Sequence, residues 1–138
     1  MYKYIATYED FNDEKQTETC YFNLTATELM RHSDMLEDML KIIQRKDPNP
    51  KDVMLFVDTL VKLSYGEKSE DGKRFLKSAE RTEAFMSSPV YDAFLFDLMD
   101  NPDKTLEFIE RMIPAEVAQR AKKLMDEENK PTPVQPVN

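Results

Sequence analysis

Residues 2–22 read YKYIATYEDFNDEKQTETCYF, and this stretch decides whether the chain is wholly helical. Tyr2, Tyr4, Ala6 and Tyr8 alternate with Lys3, Ile5, Thr7 and Glu9, the periodicity of a strand with one covered face. A polar stretch, 10–15, follows. Thr17, Thr19, Cys20, Tyr21 and Phe22 then supply a second run of strand-forming residue types. The pattern predicts a β-hairpin over residues 1–24. An isolated hairpin is marginal in water, so it must pack on the segments that follow or pair with another chain.

From Thr25 onward the periodicity is helical. Thr25 and Glu28 have capping-box spacing and open a helix to about residue 45. Asn49 before Pro50 opens a second helix, which Gly66 is expected to end by adopting positive φ. Ser78 caps a short helix to about 86. Ser88 before Pro89 and Asn101 before Pro102 repeat the cap-plus-proline device and open helices to about 100 and 112. Pro114 opens a last helix to about 128, and residues 130–138 hold three prolines without periodicity. The reading is an α+β fold, mostly α. A hairpin over 1–24 leads into about six helices packed as one helical body over 25–129, with a disordered tail over 130–138.

A chain of 138 residues suits one domain and buries enough surface to need no disulfide or metal staple. Its 41% hydrophobic content argues against global disorder. The formal charge of −8 repels nucleic-acid phosphates and anionic lipid, which argues against direct binding to either. Cys20 is alone, so no intrachain disulfide forms. No apolar run reaches the ~20 residues of a membrane span, and the N-terminus has no signal-peptide core. These features together predict an intracellular protein.

Chemistry is sparse. One His and one Cys leave no conventional nucleophile–base pair and no Cys/His zinc site. His32 falls in the first helix's apolar arc, where a packed histidine is the simpler reading than a catalytic base. Cys20 lies in a strand with no basic neighbour to activate it, and reads as a small hydrophobe. Residues 66–73, GEKSEDGK, have the wrong glycine spacing and three acids where phosphate would lie. Asp10, Asn12 and Glu14 have calcium-loop spacing, but Lys15 stands where Gly is needed, so a turn is expected. Asp92, Asp97 and Asp100 are the only carboxylates that could serve an enzymatic reading, and no base accompanies them. No cofactor or metal is expected, and binding is favoured over catalysis.

Binding surfaces are the alternative. The chain has 9 Met and no Trp, and Met adapts to varied apolar ligands. Met35, Met39 and Ile42 form one flank of the first helix and could line a groove for a helical partner. Phe96 points away from its helix's apolar side, as an inter-helix contact or as an anchor for a partner or for self-association. Lys68, Lys73, Arg74 and Lys77 form a basic spot on an acidic protein, either solvated or docking an acidic partner.

Residues 65–78 read YGEKSEDGKRFLKS, 85–94 read FMSSPVYDAF, and 108–114 read FIERMIP. In these three blocks the chain resembles the tail assembly chaperones of long, non-contractile-tailed bacteriophages. The positions that carry the resemblance include Tyr65, Gly66, Ser69, Asp71, Gly72, Phe75, Tyr91, Phe94 and Pro114. Val90 stands where the family usually has Ala, and Pro89 precedes it. The resemblance implies a protein that binds the tape measure protein, keeps its long apolar helices soluble, and helps tail-tube protein gather around it. It further implies action in the bacterial host cytoplasm and absence from the mature virion. Many such chaperones are made in two lengths by frameshifting, and this ending would suit the shorter form. The charge of −8 leaves a rival reading: an acidic inhibitor or DNA mimic that occupies a basic partner's nucleic-acid site.

Overall fold

The alternation at the N-terminus folds as expected. In the computed structural model, which describes residues 1–43, 45 and 48–112, β1 (Tyr2–Glu9) and β2 (Lys15–Phe22) pair antiparallel without interruption from Tyr2↔Phe22 to Glu9↔Lys15. The turn is built on Asp10, whose Oδ1 accepts the Asn12 and Glu14 N–H groups at 2.8 and 2.9 Å while its Oδ2 accepts from the Gln16 amide. Asp13 takes the left-handed conformation, φ 58°, which Asp tolerates better than most residues. Tyr2, Ala6, Cys20 and Phe22 are buried on one face, and Lys3, Ile5, Thr7, Thr17 and Thr19 are exposed on the other.

The hairpin is half of a larger sheet, which corrects the expected fold class. The chain continues through α1 (Ala26–Arg31), α2 (Ser33–Ile43) and α3 (Pro50–Ser64). It then runs into β3 (Tyr65–Lys68) and β4 (Phe75–Leu76), so the described sheet has four antiparallel strands in the order β1-β2-β3-β4. The segment read as a helix end and loop is a second hairpin. Its strands are too short to show periodicity. Its turn is built from the acidic block itself: Ser69 N–H donates to the Arg74 carbonyl at 2.9 Å, and Asp71 Oδ1 accepts from the Ser69 hydroxyl and the Lys73 N–H. Gly72, at φ +73°, closes it.

Gly66 plays a different part from the one expected. α3 ends two residues earlier, at Ser64, and Tyr65 is already extended. Gly66 sits under the Phe75 ring, where an added Cβ would lie 2.6 Å from Phe75 Cε2 and 2.7 Å from the Leu76 carbonyl oxygen. The glycine is required by close approach of strands and ring, not by positive φ. Phe75 packs here, half-buried, and Leu76 is exposed.

The single helix expected over 25–45 is also divided. The Thr25 capping box forms, with Glu28 N–H donating to Thr25 Oγ1 and Thr25 N–H donating to Glu28 Oε1. The helix then breaks at His32, where the Ser33 hydroxyl donates to the Met30 carbonyl and competes with the helical ladder. Beyond β4 come α4 (Ala79–Met86), α5 (Pro89–Asp100) and α6 (Pro102–Met112). Ser78 caps α4 as expected; Ser88 instead donates its hydroxyl to the Phe85 carbonyl. The expected last helix with Pro114, and the tail, lie outside the described residues.

Sheet and helices share one core. Phe22, fully buried, stacks on Phe94 of α5 at 4.8 Å between ring centroids. It meets Phe108 of α6 and Phe85 of α4 edge-on at 5.1 and 5.9 Å. Tyr65 stacks on Phe85 at 4.1 Å, and Tyr2 meets Phe108 at 5.2 Å. Just past Phe22, the Asn23 and Leu24 N–H groups donate to the terminal carbonyls of α3 (Ser64) and α6 (Met112) at 2.8 and 3.0 Å. Lys77 adds a tie, donating to Glu28 Oε2 at 2.7 Å and to the Leu63 carbonyl at 2.8 Å.

Two predictions follow from this packing. Phe94→Ala leaves a cavity beside Phe22 and lowers unfolding free energy by ~3–5 kcal/mol, read from the urea midpoint; a loss below 1 kcal/mol would contradict the shared core. Gly66→Ala costs ~1–3 kcal/mol by overpacking, and part of that cost disappears in a Phe75→Ala background. An unchanged cost there would place the strain elsewhere.

Candidate binding surface

The carboxylates that could have served chemistry are committed to structure or open to solvent. Asp97 of α5 accepts from the Tyr4 hydroxyl of β1 at 2.6 Å, from Lys104 of α6 at 2.9 and 2.8 Å, and from the Asn101 amide at 2.9 Å. These bonds, Lys104's foremost, hold its carboxyl below the usual range and join three elements. The Tyr91 hydroxyl bonds Asp58, tying α5 to α3, and burial together with that carboxylate pushes its pKa up. Asp92 and Asp100 are exposed. Burial pushes the Cys20 thiol up to about 12, which leaves it protonated and unreactive at neutral pH. Among the described residues, no group of three or more His, Cys, Asp or Glu side chains could hold a metal ion, and no helix is long and apolar enough to cross a membrane.

An apolar surface lies at the elbow between α5 and α6. There the start of α3 approaches the end of α5, and Pro48, Pro50, Val53, Met99, Leu106 and Ile109 line an open groove of about 480 Å³ with Asp100 and Thr105 at its polar points. The elbow is set by the Pro102 helix start and by the Thr105 hydroxyl, which donates to the Leu98 carbonyl at 2.8 Å. α6 buries Thr105, Phe108 and Met112, which leaves Leu106, 56% exposed, and Ile109 on an adjoining stripe. Phe96, 61% exposed, lies on α5 one helical turn before Met99 and Asp100 and is not among the residues that line the groove.

The residues singled out from the sequence are scattered over the fold. On α2, Met35 is exposed while Met39 and Ile42 are half-buried, and Met39 packs against the core. Lys73 and Arg74 are exposed at the tip of the second hairpin, with Arg74 donating to the Lys73 carbonyl. Lys68 lies over the Tyr21 ring on the sheet at 4.7 Å. Lys77, bound to Glu28, is withdrawn from that spot. Tyr91 and Phe94 are core residues, and Ser69, Asp71 and Gly72 are turn residues. His32 is half-buried at the α1–α2 break. The elbow groove was not singled out from the sequence, because it joins side chains from α3, α5 and α6. Its one local signal is that the apolar stripe of α6, including Leu106 and Ile109, is wider than a single core contact needs.

The groove and the hairpins lie within a span that one comparison covers almost whole: the profile of a phage tail assembly chaperone family matches residues 1–137. No curated protein and no solved structure matches the chain. A family match over essentially the full length, hairpins and helices together, establishes that this chain belongs to the phage tail assembly chaperones.

Proposed function

We propose that the protein binds the tape measure protein, keeps its long apolar helices soluble, and promotes assembly of tail-tube subunits around it. The elbow groove is the observation that carries this reading. It is apolar, open and shaped by helix ends, as a site for one face of a client helix must be. Met99 within it supplies the adaptable packing that varied client segments need. The charge of −8 keeps a chaperone–client complex dispersed. The protein acts in the host cytoplasm and leaves before the virion is complete. Family membership favours this role over an acidic DNA mimic, and the contact is apolar, so the complex resists moderate salt.

Co-expression with the cognate tape measure protein tests the reading. The wild-type chain raises the client's soluble yield and co-purifies with it, and no effect on either would remove the proposed function. Leu106→Glu places a charge in the groove at an exposed position. It keeps the fold, read by circular dichroism, and loses most of the recovered client. Undiminished recovery by a folded Leu106→Glu protein would move the site away from the elbow.

A further inference from the structure

We propose that two copies of this chain associate through β1, pairing antiparallel about a two-fold axis at Ala6 to make one continuous sheet. β1 is the outer strand of the described sheet, and no described residue pairs with its free edge. Edge strands of monomers are commonly short, bulged or interrupted by proline. This one is eight residues long, pairs with β2 without a bulge, and contains no proline.

The backbone parity fits. Asp10 N–H donates to the Glu14 carbonyl, which makes the even-numbered residues of β1 those bonded to β2. The N–H and C=O groups of Lys3, Ile5, Thr7 and Glu9 therefore face the free edge. A two-fold at Ala6 sets Lys3 opposite Glu9 and Ile5 opposite Thr7 of the second copy, so every edge-facing residue meets another edge-facing residue.

The side chains fit in the same register. Lys3 and Glu9 are the only charged residues of β1, lie symmetrically about Ala6, and are exposed. Neither forms an ion pair within 4.0 Å among the described residues, although Lys15 of β2 lies opposite Glu9 in the ladder. Pairing creates two symmetric Lys3–Glu9 bridges and covers Ile5, which is 69% exposed. Registers shifted by two residues keep the backbone parity but lose both bridges. A second copy is thus the occupant whose charges match this edge.

Sedimentation velocity on the full-length chain tests the pairing. The wild type is expected to show a concentration-dependent dimer. Lys3→Glu and Glu9→Lys each set like charges opposite one another and weaken dimerisation by about tenfold or more. The double swap, Lys3→Glu with Glu9→Lys, restores it. Thr7→Pro removes an edge N–H without touching the β1–β2 ladder and abolishes the dimer, with circular dichroism confirming the fold. A wild type that stays monomeric at its highest soluble concentration overturns the proposal. So do single variants that dimerise like wild type, or a folded double swap that stays monomeric.

Discussion

Phe22 is the side chain on which the rest of the structure depends. It ends the first hairpin, is fully buried, and touches rings from α4, α5 and α6 as well as from β1 and β3. Hairpins of this size do not hold their shape alone in water. This one is held because its inner face supplies Tyr2 and Phe22 to an aromatic cluster that the helices complete. The two residues after Phe22 satisfy carbonyls at the ends of α3 and α6, so the same turn of chain positions both sheet and helices.

The features legible in the sequence were those written in a local period or a local cap. The alternation from Tyr2 to Glu9, the Thr25–Glu28 box, and the prolines at 50, 89 and 102 each mark an element that the structure contains. What escaped depends on contacts distant in sequence. Tyr65 and Gly66 of β3 pair with β2 more than forty positions away, Glu67 and Lys68 pair with the two-residue β4, and Gly66 is small because Phe75 lies over it. At the His32 break the Ser33 hydroxyl donates to the Met30 carbonyl, a choice of backbone partner that no periodicity records. The elbow groove escaped for the same reason, being assembled from three helices that the pattern treats one at a time.

The division of polar and apolar groups explains why a protein rich in carboxylates reads as a binder. Asp97 and Asp58 hold the strand and helices together through tyrosine hydroxyls, and Asp10 and Asp71 build the two hairpin turns. The acidic Ser69–Gly72 block of this chain serves turn chemistry: it orders the tip that carries Lys73 and Arg74. The apolar elbow is then one of the uncommitted surfaces among the described residues, on a negatively charged body.

Hydrogen–deuterium exchange of the chain alone and in complex with a soluble tape measure fragment tests the central claim most directly. Protection gained on binding is expected to concentrate in residues 48–53 and 98–109, which hold the walls of the elbow groove. Protection confined to residues 33–42 of α2, with the elbow exchanging as in the free protein, would contradict it.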